Sequence, residues 1–268
     1  MAAALWYLVV SSFGPWALGA VMNVLGGESV WYRLAIYFYL HFLYNGWMIM
    51  ALLGIFFFIL ESHQLGVSNE SFKRFFWNIN LGIILSFFLS TLFMNPPLLL
   101  NFLGGTGALL QLAAFSILLK AFTTDKEKSK AMFSPLQNVL LKTVAVLLGV
   151  KMLLQLITAF PSFANLATTH LDFTIGYLHW TFLGVVTLSL FLFLNYFGLL
   201  KLSKSTYYFY LIGFLITEAL IFYKGIAAWK SVPLFDGYFQ ALAVGSIAIP
   251  IALFILLWNN LKPKAINF

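Results

Sequence analysis

Four ionisable side chains lie inside long apolar stretches of the sequence, where such side chains are rare. His41 lies within Val30 to Leu60, His179 lies in a later apolar stretch, and Lys151 and Glu218 lie near the middle of two others. An ionisable group deep in a membrane span is costly, so each is a functional candidate. Two buried histidines on separate helices can ligate one iron from opposite faces of a porphyrin.

The composition indicates that these side chains belong to a membrane protein. Of the 268 residues, 62% are hydrophobic, 19% are aromatic and only 9% are charged. Such a chain cannot cover itself with a polar surface, and its apolar runs exceed the roughly 18 to 20 residues that cross a bilayer. The absence of cysteine excludes disulfides, thiolate metal sites and cysteine nucleophiles. A net charge of +7 is small for this length, so we expect a lipid bilayer and no nucleic acid as partner.

The apolar runs predict an all-α, polytopic transmembrane helix bundle that forms one domain over residues 1–268. The eight predicted spans cover about residues 5–25, 30–60, 75–94, 98–122, 135–160, 173–200, 206–232 and 238–261. Asn95, Pro96 and Pro97 predict a tight turn after the third span, because proline does not continue a helix. No repeat of fixed period and no low-complexity tract interrupts this pattern.

The basic residues predict the orientation of the chain. Only Arg33 and Lys230 fall on one side of the predicted spans. The other side carries Lys73, Arg74, Lys120, Lys126, Lys128, Lys130, Lys201, Lys204, Lys262 and Lys264. Basic residues accumulate in cytoplasmic loops, so both termini are predicted to be cytoplasmic, in a bacterial inner membrane.

This orientation places the two histidines at similar depth in the outer half of the bilayer. His41 lies about eleven residues, roughly 16 Å, into the second span, and His179 lies about six residues, roughly 9 Å, into the sixth. Tyr44 and Trp47 follow His41 closely and could stack beside a planar cofactor. The simpler interpretation of each histidine is a hydrogen bond to a neighbouring helix, and that of the aromatic pair is helix packing.

The run from Asp172 to Trp180, Asp-Phe-Thr-Ile-Gly-Tyr-Leu-His-Trp, with Gly184 beyond it, carries a family resemblance. It resembles helix ten of the catalytic subunit in the haem-copper oxidase and nitric oxide reductase superfamily. In the branch with b-type haems that helix reads Thr-(Ile/Val)-Gly-His-x-His, followed by a glycine. The low-spin haem ligand of the family falls on His179, and the high-spin haem ligand falls on Tyr177. The family also places a low-spin ligand in its second helix, which His41 matches.

The resemblance implies one bis-histidine haem b and no copper site. The sequence has no His-His pair and no His-Pro-x-x-x-Tyr element, so it does not predict an oxygen-reducing centre. Arg33 at the outer end of the second span is the candidate partner of a haem propionate, since Arg pairs well with carboxylates. Bis-histidine ligation leaves no open position on the iron, so this haem would serve electron transfer or gas sensing. Other respiratory or membrane subunits are the partners implied, and no complete catalytic constellation appears.

Two further stretches, from Phe13 to Gly19 and from Tyr39 to Trp47, resemble the later part of an uncharacterised family of bacterial polytopic membrane proteins. Longer members of that family have additional N-terminal helices with a His-x-His followed by Gly-Trp. The resemblance implies that this chain is an N-terminally shortened copy.

The remaining buried polar residues support two other functions. Lys151 lies about sixteen residues into the fifth predicted span, and Gln155 lies one turn further along the same face. Glu218 lies near the middle of the seventh span. These residues and the histidines predict either the path of a proton- or ion-coupled small-molecule transporter, or the helix contacts of a structural or assembly subunit.

Overall fold

The computed structural model describes residues 1–65, 67–124 and 126–261, so Lys262 and Lys264 lie outside the described residues. The described residues form helices without strands, and eight helices are long and apolar enough to cross a membrane. We call them spans 1 to 8: Ala2–Leu25, Val30–Ser62, Asn69–Met94, Leu98–Thr124, Pro135–Ile157, Leu171–Tyr196, Lys204–Trp229 and Tyr238–Leu261. The prediction of an all-α polytopic membrane protein with eight spans is confirmed.

The boundaries of the spans differ by a few residues from those predicted, and local capping explains one difference. Span 3 begins at Asn69 because the Ser68 hydroxyl accepts a hydrogen bond from the backbone N–H of Ser71, which caps the helix. At its other end Asn95 takes a left-handed φ of 50°, and Pro96 follows. Two short helices, Lys126–Ala131 and Pro161–Thr169, lie in segments that the sequence predicts as loops.

Spans 3 and 4 approach each other closely because glycine removes the side chain at their contact. A Cβ added to Gly107 would lie 2.3 Å from the backbone nitrogen of Ser86. Gln111 of span 4 donates to the Ser86 hydroxyl at 2.7 Å and to the Gly82 carbonyl oxygen at 3.1 Å. The glycines of span 4 are therefore packing residues, and buried side-chain hydrogen bonds fix the contact.

Three spans contain segments that depart from α-helical geometry. Span 2 becomes a π-helix at Phe42–Met48 and span 6 at Trp180–Val186, while span 3 ends in a 3-10 helix at Phe87–Met94. Each π-helical segment begins at the residue directly after a candidate histidine. Single π-helical segments inside α-helices occur frequently at functional sites, so these positions direct attention to His41 and His179.

The chain, which the sequence predicts to be one domain, divides into two compact units. Unit 1 comprises Met1–Met132 with Leu148–Thr169, and unit 2 comprises Phe133–Leu147 with His170–Phe268. His41 and Lys151 belong to unit 1, whereas His179 and Glu218 belong to unit 2. Each unit therefore contains one candidate histidine and one further buried ionisable residue.

Candidate functional site

His41 is buried in unit 1 with both ring nitrogens near protein atoms. Its Nε2 donates to the carbonyl oxygen of Ile83 at 2.8 Å. Its Nδ1 lies 3.4 Å from the amide nitrogen of Asn45 and 3.5 Å from the Ser90 hydroxyl. Because a carbonyl oxygen accepts only, this arrangement assigns the proton to Nε2 and makes Nδ1 the acceptor.

The change of helix type in span 3 makes the Ile83 carbonyl oxygen available to His41. In a continued α-helix this oxygen would accept from the backbone N–H of Phe87. That N–H is directed to Ile84 and Leu85 instead, because the 3-10 segment begins at Phe87. The freed oxygen accepts from His41 and from the Ser86 hydroxyl, the latter at 3.2 Å. His41 therefore satisfies a backbone group that the helix leaves open.

Lys151 is also buried in unit 1, at 1% exposure, and its ammonium group contacts two amide oxygens. It donates to Asn45 Oδ1, and it donates to Gln155 Oε1 at 2.8 Å. Asn45 lies in the π-helical segment of span 2, so its amide group connects Lys151 with His41. Together, Gln155, Lys151, Asn45 and His41 form a buried hydrogen-bonded chain, which we call the lysine network.

Three other residues of unit 1, Arg33, Tyr44 and Trp47, were predicted to surround a haem. Arg33 is exposed, donates to the Tyr37 hydroxyl at 3.3 Å, and lies 4.5 Å from the ring centre of Phe93. Tyr44 and Trp47 are half-buried within the π-helical segment. The structure brings His41 together with Asn45 and, through Asn45, with Lys151, and the rings nearest its imidazole include Phe42 and Phe87, with ring centres 5.2 and 5.6 Å away.

The lysine network does not fit the predicted haem. An axial histidine needs one ring nitrogen that is free of a proton and directed at the iron. In His41 the Nε2 proton is directed at Ile83, and Nδ1 faces Asn45 and Ser90. Ligation would therefore require the ring to leave its present partners, and the Ile83 carbonyl oxygen would lose a buried donor.

His179 and Glu218 face each other in unit 2. Glu218 is 2% exposed, whereas the side chain of His179 is 43% exposed. His179 Nδ1 lies 3.5 Å from Glu218 Oε1, which is close enough for an ion pair but is not aligned as a hydrogen bond. Within the described part of the chain, neither carboxylate oxygen accepts a well-aligned hydrogen bond, and His179 Nδ1 is the potential donor that faces them. A buried carboxyl group without a well-aligned donor requires a physical explanation, such as a bound proton, ion or water.

The π-helical segment beside His179 is held by side chains. The Tyr210 hydroxyl donates to the carbonyl oxygen of Leu183 at 2.8 Å, and Thr187 donates to that of Phe182 at 2.9 Å. Trp180 donates from Nε1 to the Leu147 carbonyl oxygen at 2.9 Å. Tyr177, predicted to fall on a haem-ligand position, is half-buried one turn before Thr181, whose hydroxyl donates to its carbonyl oxygen. The unsatisfied atoms at Glu218 thus lie in otherwise well-bonded surroundings.

The two histidine segments share a short sequence that was not predicted to matter. Tyr39–His41 and Tyr177–His179 are both Tyr-Leu-His, each is followed by an aromatic residue, and each has a glycine five residues after the histidine. These glycines, Gly46 and Gly184, lie in the two seven-residue π-helical segments. This match is too short to appear as a repeat of fixed period. Aligning the sequence around the two histidines would nevertheless have revealed the shared Tyr-Leu-His.

No family model, curated protein or solved structure matches this chain. Its class follows from the helices and the buried groups described above. The protein is a multi-pass integral membrane protein that holds ionisable side chains inside its spans. The lysine network is hydrogen-bonded among its members, whereas the His179–Glu218 pair is not, which makes the pair the stronger candidate site.

Proposed function

We propose that this protein is a proton-coupled membrane carrier in which the His179–Glu218 pair binds the coupling proton. The observation that carries this proposal is the Glu218 carboxyl group, whose two oxygens are buried and accept no well-aligned hydrogen bond from the described residues, with His179 Nδ1 3.5 Å from Oε1. An ionised carboxylate in such surroundings is costly, and binding a proton removes the charge. The site therefore has a strong physical reason to take up a proton.

The difference in exposure between the two residues gives the pair a direction of transfer. An imidazole takes up and releases protons near neutral pH and can serve as a proton shuttle. His179 is nearly half-exposed, whereas Glu218 is buried, so we assign the first uptake of the proton to His179. A proton taken up at His179 needs to cross only the 3.5 Å between Nδ1 and Oε1 to neutralise the carboxylate.

Infrared spectroscopy of the reconstituted protein tests this proton site directly. We expect the C=O stretching band of a protonated carboxylic acid, and we expect its intensity to change as the pH is varied. Glu218→Gln should remove this band, because the amide has no carboxylic proton, and His179→Gln should alter its pH dependence. Glu70→Gln, at an exposed carboxyl group beside Arg74, is the matched control. A band that is absent, or that persists in Glu218→Gln, contradicts the proposal.

Haem binding for electron transfer or gas sensing is the competing function that the sequence predicts. The partners of His41 do not support it, so we expect protein purified from haem-replete cells to show no Soret band. A sharp Soret band that disappears in both His41→Ala and His179→Ala would support haem binding and contradict the carrier function. A purely structural or assembly subunit predicts neither this band nor a carboxyl group that titrates.

A further inference from the structure

Two pairs of aromatic rings flank the His179–Glu218 pair along spans 6 and 7 of unit 2, one pair on either side of it. Phe214 and Phe222 lie one turn before and one turn after Glu218 in span 7, so all three share a helix face, with about 6 Å of rise on either side. Each phenylalanine meets span 6. Phe222 contacts it near Gly176, and Phe214 contacts it near Gly184. The carboxyl group therefore lies between two apolar layers.

The first pair, Phe173 and Phe222, we call the outer layer, because the basic residues predict this end to face outward. A Cβ added to Gly176 would lie 3.0 Å from Phe222 Cζ, and one added to Gly225 would lie 3.1 Å from Phe173 Cζ. Each ring thus lies on a glycine of the opposite span, and the ring centres are 6.5 Å apart. Beyond this layer, Lys224 Nζ donates to Asp172 Oδ1 at 2.9 Å.

The second pair, Trp180 and Phe214, we call the inner layer. Their ring centres are 5.8 Å apart, and a Cβ added to Gly184 would lie 2.8 Å from Phe214 Cζ. Phe214 is fully buried, and Trp180 is anchored by its hydrogen bond to Leu147. Trp180 and Gly184 both lie in the π-helical segment of span 6, so this contact depends on the irregular part of the helix.

We propose that the outer and inner layers are the two gates of the carrier, each separating Glu218 from one side of the membrane. This inference rests on the proposed function, because a coupling proton must reach its site from one side at a time. Apolar rings exclude water, and three of these four rings meet the neighbouring span at a glycine, where no side chain opposes movement of the ring on that face. The salt bridge between Asp172 and Lys224 would hold the outer gate closed, and the π-helical segment would give the inner gate room to move.

Cysteine labelling tests the gates, because the natural chain contains no cysteine. Glu218→Cys places a single thiol between the layers, and a membrane-impermeant thiol reagent is applied to either side of sealed vesicles. We expect slow labelling from both sides. Adding Phe222→Ala should raise the rate by about tenfold or more from the predicted outer side only, and adding Phe214→Ala should do so from the other side only. If the predicted orientation is reversed, the two sides exchange but the opposite effects remain.

Leu215→Ala, at an exposed position of span 7 next to Phe214, is the matched control and should leave both rates unchanged. Phe222→Leu and Phe214→Leu, which keep an apolar side chain, should give smaller increases and provide folded alternatives if an alanine variant fails to fold. Equal access from both sides in either variant, or rates no different from the control, overturns the gates. Labelling needs no proton gradient, so loss of the infrared carboxyl band would end the proposed function without changing this result.

Discussion

Replacing Lys151 with methionine is expected to destabilise the protein by about 1–3 kcal/mol, the usual cost of leaving buried hydrogen-bond acceptors without a donor. Methionine fills a similar volume, so the loss reports hydrogen bonding rather than a cavity. The variant deprives two buried oxygens, Asn45 Oδ1 and Gln155 Oε1, of the ammonium donor. Reversible unfolding in detergent, followed by circular dichroism, measures the difference in free energy.

Lys142→Met, on the exposed face of the same span, is the control for this experiment and should change the free energy of unfolding little. The double variant Lys151→Met with Gln155→Leu should lose less than the sum of the two single variants, because a leucine in place of Gln155 leaves no amide oxygen that needs a donor. A Lys151→Met variant as stable as Lys142→Met would show that the lysine network does not support the fold.

The sequence predicts most of the fold because the length of an apolar run is a direct measure of a membrane-spanning helix. All eight spans were predicted, and the second, fourth, fifth and eighth begin at the predicted residues. Span 3 begins at Asn69, about two turns before the predicted start, because the cap by Ser68 precedes the apolar residues. The π-helical segments were not predicted, since they depend on contacts such as that between Tyr210 and Leu183, which join residues far apart in the chain.

The candidate site was predicted less well, for reasons that specific residues show. We selected His41 and His179 by their predicted depth in the membrane. Depth does not show how a helix is rotated about its axis, and this rotation decides which neighbours a side chain contacts. The acceptor for His41 Nε2 is the backbone oxygen of Ile83, which has no sequence signature. For Glu218, the sequence left open a pair with Lys151. The structure instead shows Glu218 facing His179 in unit 2 and Lys151 bonded to amide oxygens in unit 1.

Each of the two clusters contains a histidine and a second ionisable side chain, but the clusters differ in how well these groups are hydrogen-bonded. In the lysine network the ammonium group of Lys151 and the ring of His41 both have hydrogen-bond partners, so the polar groups support one another and favour a single structure. At Glu218 neither carboxylate oxygen accepts a well-aligned hydrogen bond from the residues that the structure describes, so the protein retains a group that costs stability. Natural proteins keep such costs where function requires them, which favours a functional interpretation of the His179–Glu218 pair.

This contrast predicts that replacing Glu218 with methionine stabilises the protein by about 1–3 kcal/mol, the usual cost of an unsatisfied buried polar group. Methionine keeps the layers of Phe214 and Phe222 in contact with an apolar side chain of similar length. The same variant should lose the infrared carboxyl band and all proton coupling. Reversible unfolding in detergent, measured as for Lys151→Met, gives the change in free energy.

Glu70→Met is the control, because its exposed ion pair with Arg74 should contribute little to stability. A lower free energy of unfolding in Lys151→Met and a higher one in Glu218→Met would show that the lysine network supports the fold, whereas the His179–Glu218 pair is kept for its chemistry. If Glu218→Met destabilises the protein as strongly as Lys151→Met, the carboxyl group is structural and the proton site should be abandoned. Stability then distinguishes the two roles without a transport assay.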